Sequence, residues 1–356
     1  MLIVRGMRIA AYVSLFIVMK RAICRNACGP RPRKRNNMKR LFVLLCVVVL
    51  LFLFPGCRRS RAPDREGKLN VVSVIFPTYD FVRVIAQDRV NLSILLPPGS
   101  ESHSYEPSPR DIIAIRECDL FIYPGGEGAK WVDRILDSLD KKTMKILKLL
   151  DLVEAVEEEI VEGMEDDEDD HDHEHEHEDE PVLDEHVWTS PKNAIILAAA
   201  IAEALMNLDS ANADFYRQNA ADYTAKLAEL DAGFMSVMEG AKRNTIIVGD
   251  RFPFRYLADA YNLEYFAAFP GCSSETEPSA ATIAFLINKT RSESIPVVFH
   301  IELSNEKIAD AISEATGAKK LLLHSGHNVT KKEFDGGANY LDLQKANMVN
   351  LKEALW

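Results

Sequence analysis

The sequence predicts an α/β protein of two lobes, each a parallel sheet flanked by helices, joined by one long rigid helix. In both halves of the chain, β-branched apolar runs alternate with segments of helical character. That order is typical of parallel sheets that carry helices on their faces. Between the two series, residues 208–242 have helical character without proline and exceed the length of most domain helices. We expect this stretch to connect the lobes.

The first lobe is predicted to span residues 58–207. Its strand candidates are LNVVSVI, VNLSILLP and DLFIYPGG, and its helix candidates are TYDFVRVIAQD, RDIIAIREC and WVDRILDSLD. The helix SPKNAIILAAAIAEALMNLD closes the lobe, because Ser190 can cap it and Pro191 suits its first turn. An acidic, histidine-rich loop at 154–185 precedes that helix.

The second lobe is predicted to span residues 243–356 and repeats the alternation of strands and helices. Its strand candidates are NTIIVGD, EYFAAF, IPVVFHIE and AKKLLLHSGHN. Its helix candidates are RFPFRYLADAYNL, SAATIAFLINKTRSE, NEKIADAISEATG and the terminal NYLDLQKANMVNLKEALW. The two halves therefore share an architecture.

Residues 1–57 are interpreted as an N-terminal extension that ends in a lipoprotein signal. From Met38, the expected true start, the chain reads MKRLFVLLCVVVLLFLFPGC. A basic head, an apolar stretch and a cysteine after the cleavage point predict lipid attachment at Cys57. The alternative is a membrane-spanning anchor, although the apolar run has about 14 residues and a span needs about 20. Both interpretations place the folded part outside the cytoplasmic membrane.

The net charge of −12 is concentrated in the acidic loop, which contains the tract HDHEHEHEDE. Histidine-rich tracts are typical of metal binding, since neutral imidazole is a good ligand for zinc. The tract histidines, His171, His173, His175 and His177, are therefore predicted to form an accessory metal-collecting loop. The alternative is a solvated acidic loop that attracts cations only by its charge. Without a basic stripe in the folded region, nucleic acid is not an expected partner.

Further histidines and carboxylates lie where predicted strands end or where loops begin. In open parallel sheets, ligands bind at the carboxyl ends of the strands, so these side chains are candidates for one metal site. The first four candidates are His103, His186, His324 and Asp250, and three more are Glu302, His327 and His300.

Each candidate has an alternative interpretation. His103 could be a solvated loop histidine, and His186, beside Trp188, could be a packed and hydrogen-bonded residue. His300 lies within an apolar strand and could be a core histidine, whereas Asp250 could cap a helix or pair with a neighbouring arginine. His324 and His327 share one loop, and His324 is preferred as a ligand because it lies at the strand end. Three imidazoles and one carboxylate would favour zinc over manganese.

Two segments resemble ligand loops of a known family. LPPGSESHSYEPSPRD and DEHVWTSPKNA, with the acidic histidine tract and the long central helix, resemble the zinc/manganese-type solute-binding proteins of bacterial ABC importers (cluster A-I, zinc-binding branch). The resemblance covers about 69–355 and implies that His103 and His186 are the first two ligands. It places the third ligand at Arg251, which cannot bind a cation, so that Asp250 is the nearest substitute. It places the fourth ligand at His324.

The expected function is that of a lipid-anchored, monomeric extracytoplasmic receptor that delivers Zn²⁺ to an ABC permease, with Mn²⁺ a less favoured cargo. No catalytic residue is expected. Two alternatives are a metal-binding surface adhesin and a zinc-dependent hydrolase. The hydrolase would need a general base such as Glu302 or Glu275, and the chain has no HExxH helix motif.

Overall fold

The first lobe contains a four-stranded parallel sheet with the order β2-β1-β3-β4. The computed structural model describes residues 67–101, 105–139, 144–164, 182–273 and 277–356. The predictions for Met38, Cys57, His103, the tract histidines and Glu275 concern residues outside these ranges. The strands are β1 (Leu69–Ser73), β2 (Val90–Ile94), β3 (Leu120–Tyr123) and β4 (Lys145–Lys148). The helices that accompany them are α1 (Phe76–Ala86), α2 (Pro109–Glu117) and α3 (Lys130–Ser138).

Two long helices, α4 (Pro191–Leu208) and α5 (Ala213–Glu239), follow the first sheet. The predicted long helix is confirmed, and it begins after a short 3₁₀ turn at Ser210–Asn212. Its buried residues recur at helical spacing: Tyr216, Ala220, Tyr223, Leu227, Leu230, Phe234 and Val237. Because α5 packs against α4, α1 and the C-terminal helix, it is supported along its length. Within the described residues, α4 alone is long and apolar enough to cross a membrane, but it buries eight residues in the protein core.

The second lobe contains another four-stranded parallel sheet, with the order β6-β5-β7-β8. The strands are β5 (Thr245–Phe252), β6 (Glu264–Pro270), β7 (Val297–His300) and β8 (Lys319–Leu322). The helices are α6 (Arg255–Tyr261), α7 (Ala280–Ser292), α8 (Lys307–Thr316), α9 (Lys331–Asp335) and α10 (Tyr340–Leu355). The predicted α/β fold with two parallel sheets is thus confirmed.

Helix α6 begins later than the sequence predicts because β5 continues to Phe252. Pro253 disfavours helical backbone at the preceding residue, and Phe252 instead pairs with Pro270 of β6. Strand β5 therefore carries Asp250 and Arg251 within the sheet rather than in a helical turn.

One large apolar core spans both lobes, and the second lobe has a smaller core of its own around Ile247 and Phe266. A single cluster of buried side chains runs from Val71 in the first sheet through Phe234 in α5 to Val248 in the second sheet. Helix α10 also returns to the first lobe, where the Tyr340 hydroxyl donates to the Trp188 carbonyl at 2.6 Å. The residues from Gly67 onward therefore form one unit, and its strands bring their carboxyl ends to a common cleft.

Candidate metal-binding site

A small cavity of about 30 Å³ lies between the loops that follow the strands of both sheets. A cavity of this size has room for one or two water molecules, so a single ion fits in it. The first lobe contributes Ser100, Glu101 and His186 to its lining, and the second lobe contributes Arg251, Pro253, Gly271, Ile301, Glu302, Leu303, Ser325, His327 and Asn328. The position agrees with the general rule for ligand sites of open parallel sheets.

His186 reaches this cavity from the segment just before α4. Its ring is buried, and its Nδ1 donates to Asp184 Oδ1 at 3.0 Å. The same carboxylate oxygen accepts from the His186 backbone N–H at 2.7 Å. A carboxylate can only accept, so this contact fixes the proton on Nδ1 and leaves the lone pair on Nε2, as in carboxylate–histidine–metal arrangements.

The carboxylates around His186 govern its protonation. Burial lowers the pKa of His186, but the carboxylates of Asp184, Glu185 and Glu158 outweigh it, and the pKa is raised overall. Burial also raises the pKa of Glu185 to about 7, and its carboxylate accepts a hydrogen bond from the Gly128 N–H at 2.9 Å. These acidic groups make the surroundings of His186 favourable for a cation.

His327 meets His186 from the other lobe. The centroids of the two rings lie 5.5 Å apart at an interplanar angle of 75°. The Trp188 ring lies 4.9 Å from the His327 ring, and its indole N–H donates to the Ser325 carbonyl at 2.9 Å. Trp188 therefore fixes the turn that bears His327 against the segment that bears His186. Two imidazoles from distant parts of the chain are brought together at one cavity.

Glu302 also lines the cavity, but its carboxylate supports the turn after β8. Its Oε2 accepts from the Ser325 N–H at 2.7 Å and its Oε1 accepts from the Ser325 hydroxyl at 2.5 Å. The Ser325 hydroxyl oxygen in turn accepts from the His327 N–H at 3.1 Å. Glu302 therefore stabilises the backbone conformation that presents His327.

His324 lies in the same turn, beside rather than in the cavity lining. Its Nδ1 accepts from the Gly326 N–H at 2.9 Å and lies 3.4 Å from Glu302 Oε2. Its Nε2 is buried and has no hydrogen-bond partner among the residues that the structure describes. The structure thus brings His327, rather than His324, next to His186, and ligation by His324 stays a prediction.

Asp250 and His300 also lie outside the cavity lining. Burial raises the pKa of Asp250, whose carboxylate accepts from the Arg251 backbone N–H at 2.9 Å and from Ser304. The His300 Nδ1 donates to the Ile301 carbonyl at 3.1 Å and lies 3.9 Å from Glu306 Oε1. Both side chains have local partners, and their ligand roles stay predictions.

Arg251 occupies the cavity wall where the resemblance placed a third ligand. Its guanidinium makes a bidentate ion pair with Glu101: Nη2 donates to Oε2 at 3.0 Å and Nη1 donates to Oε1 at 3.3 Å. The Nη1 group also donates to the Ser273 carbonyl at 3.3 Å. Arg251 therefore links the second lobe to the loop that leads to His103. This cross-lobe ion pair has no signal in the sequence.

The two stems of the histidine-rich loop lie beside the same site. A short antiparallel bridge joins Glu157 to Leu183, and the Asp184 N–H donates to the Val156 carbonyl at 3.0 Å. The Tyr256 hydroxyl of α6 donates to the Asp184 carbonyl at 2.8 Å. The stems thus cross to the second lobe and lead directly into the Asp184–His186 contact.

No group of three or more metal-binding side chains occurs within the described ranges, which omit His103 and the tract.

The chain is similar to known zinc-binding proteins. Over 316 residues it is 32% identical to the zinc-binding lipoprotein AdcA of Streptococcus pneumoniae strain R6; the match covers 89% of this chain and 61% of AdcA. It is 31% identical to the high-affinity zinc uptake system protein ZnuA of Bacillus subtilis, with 88% of this chain and 97% of that protein covered.

A solved structure supports the same relationship. The Zn(II)-bound ZnuA-like domain of Streptococcus pneumoniae AdcA matches with a TM-score of 0.66 and 29% identity, and covers 81% of this chain and 99% of that domain. The family model described as "Zinc-uptake complex component A periplasmic" matches residues 71–354. The chain therefore belongs to the zinc-uptake component A family.

Proposed function

We propose that this protein is an extracytoplasmic receptor that binds Zn²⁺ in the cleft between its lobes and delivers it to an ABC importer. The observation that carries the proposal is the contact between His186 and His327, two imidazoles from different lobes at one ion-sized cavity. Neutral imidazole is a preferred ligand of zinc, and tetrahedral sites are commonly assembled from distant segments. Zinc-binding relatives agree with this choice of cargo over manganese.

The proposed ligands are His103 and His186 from the first lobe and His327 from the second. His186 would bind through Nε2, since Asp184 holds its Nδ1 proton. The Glu302 carboxylate is engaged by Ser325, so it is proposed to support the ligand turn rather than to act as a base. The protein would therefore bind and release an ion without breaking a bond.

The proposed receptor is anchored to the outer side of the cytoplasmic membrane and works with a permease. Lipid attachment at Cys57 would tether a monomeric receptor outside the cytoplasmic membrane, near its permease. The tract histidines would collect zinc weakly and raise its concentration beside the cleft, since the loop stems join the His186 segment. The name lipoprotein given to AdcA supports the tether.

A cellular experiment tests this function. The gene is deleted in its own host, and cell-associated zinc and growth are measured in zinc-depleted medium. The intact gene should restore both, whereas His186→Ala and His327→Ala should restore neither. His300→Ala is the matched control, because that ring lies outside the cavity lining, and it should restore uptake. Normal zinc uptake in the deleted strain, or in the two site variants, would exclude the proposed role.

A further inference from the structure

Trp188 contacts both imidazoles of the proposed site from outside the cavity. Its ring lies 5.4 Å from the His186 ring at an angle of 62°, and 4.9 Å from the His327 ring at 71°. Its indole N–H donates to the Ser325 carbonyl at 2.9 Å, in the turn that carries His327. Trp188 is fully buried and does not line the cavity. Its position therefore affects both ligands without contact with the ion.

The backbone of Trp188 is bound to the C-terminal helix. Trp188 lies in a short 3₁₀ turn, Val187–Thr189, which directly follows His186. Its carbonyl accepts from the Tyr340 hydroxyl of α10 at 2.6 Å. The Thr189 hydroxyl donates to the His186 carbonyl at 2.8 Å, so this turn is also joined to the ligand residue. Because Tyr340 and Trp188 are both fully buried, their hydrogen bond lies in surroundings of low dielectric constant, where it is stronger than in water.

Tyr340 is itself fixed by α1, away from the metal-binding loops. It is the first residue of α10, and its backbone N–H donates to Asp80 Oδ2 at 2.9 Å. The Asp80 carboxylate is buried and pairs with the Arg83 guanidinium at 2.6 Å. The Tyr340 ring packs edge-on against Phe81, with 5.0 Å between the ring centroids. Removal of the hydroxyl alone should therefore leave the ring and the start of α10 in place.

We propose that Tyr340 is a positioning residue for zinc binding, which acts through Trp188 on His186 and His327. This inference rests on the proposed function, because the effect it assigns to Tyr340 is on zinc affinity. Without the hydroxyl, the turn at Val187–Thr189 would sample more positions before zinc binds. Zinc would then have to order the turn on binding, and that cost lowers the affinity.

Tyr340→Phe tests the proposal, since it removes one oxygen atom and keeps the ring. Zinc affinity is measured on the full chain by competition with a chelator. The histidine tract is the same in every variant, so a difference between variants reports on the cleft. The net free energy of one hydrogen bond limits the effect, and we expect zinc binding to weaken by about 3- to 10-fold.

A second measurement follows the path of the effect. The chain has three tryptophans, and the indole N–H signal of Trp188 in a nitrogen–proton NMR spectrum is assigned by its loss in Trp188→Phe. In Tyr340→Phe, this N–H should exchange with solvent faster than in the unsubstituted protein. A looser Trp188 would hold its hydrogen bond to the Ser325 carbonyl for less of the time.

Tyr216→Phe is the matched control. Tyr216 is also fully buried, and its hydroxyl donates to Asp209 Oδ2 at 2.7 Å, outside the cavity lining. Both substitutions remove one buried hydrogen bond, so both should lower the melting temperature. Only Tyr340→Phe should change zinc affinity and the exchange of the Trp188 N–H.

Trp188→Phe provides a second variant, because it keeps an aromatic ring and the backbone carbonyl but loses the indole donor. It should weaken zinc binding, and adding Tyr340→Phe to it should weaken binding by less than Tyr340→Phe does alone. Additive effects, or native affinity or native Trp188 exchange in Tyr340→Phe, would overturn the inference. An equal loss of affinity in Tyr216→Phe would also overturn it. Absence of tight zinc binding in the unsubstituted protein would instead refute the proposed function.

Discussion

Replacing Asp184 with Asn tests the carboxylate that supports His186. The Asn side chain has nearly the same shape, so its Oδ1 can still accept from the His186 N–H and Nδ1, which lie at 2.7 and 3.0 Å in the native protein. What is lost is the negative charge that makes the imidazole a stronger ligand. Supporting groups of this kind contribute about 10- to 100-fold to metal affinity, or about 1.4 to 2.7 kcal/mol. We expect Asp184→Asn to weaken zinc binding within that range.

The same substitution should change the pH dependence of binding. The raised pKa of His186 means that protons compete with zinc at a higher pH than for an ordinary histidine. Affinity should therefore fall as the pH decreases through a region above the usual histidine pKa of about 6.5. Asp184→Asn removes a main cause of the raised pKa, so this fall should move to lower pH.

The assay is calorimetric zinc titration at several pH values on the chain without residues 165–181. Asp133→Asn is the control, because the Asp133 carboxylate accepts from the Tyr123 hydroxyl at 2.9 Å and lies outside the cavity lining. It should leave both affinity and pH dependence unchanged. Native affinity with a native pH profile in Asp184→Asn would show that His186 does not bind zinc with the support of this carboxylate.

Two further predictions concern the ligand turn and the second sheet. His327→Ala should lower zinc affinity at least 100-fold in a chelator competition, which corresponds to about 2.7 kcal/mol or more of binding free energy. His324→Ala should lower the affinity far less. The reverse order would assign the ligand to His324. Gly249→Ala should lower the free energy of unfolding by about 1 to 3 kcal/mol, because the added Cβ would lie 2.7 Å from Ala309 backbone atoms. Gly233→Ala is the control. Its added Cβ would meet only the flexible side chain of Met348, so thermal unfolding should show a smaller loss of stability.

The sequence was sufficient for most of the fold because the apolar runs and helical segments are long and regular. Strand β4 was not predicted, because its four residues, KILK, include only one buried side chain, Leu147. Helix α9 was not predicted either, because it has only five residues and none of them is buried. Both elements depend on tertiary context rather than on a pattern that a short window can show.

The candidate site was predictable only to the level of loops. Sequence position placed His324 and His327 together after β8, but the direction of each ring depends on the turn between them. That turn requires a φ of +75° at Gly326 and is fixed by Glu302 through Ser325. Contacts between residues far apart in the chain, such as Arg251 with Glu101, leave no local signal in a single sequence.

In the proposed receptor, one zinc ion is bound between imidazoles contributed by both lobes. Zinc titration of the chain without residues 165–181, alone and with His186→Ala or His327→Ala, tests it most directly. We expect a single tight site that survives the deletion and is lost in each variant. Tight binding that disappears with the deletion, while both substitutions leave the remaining binding unchanged, would contradict it.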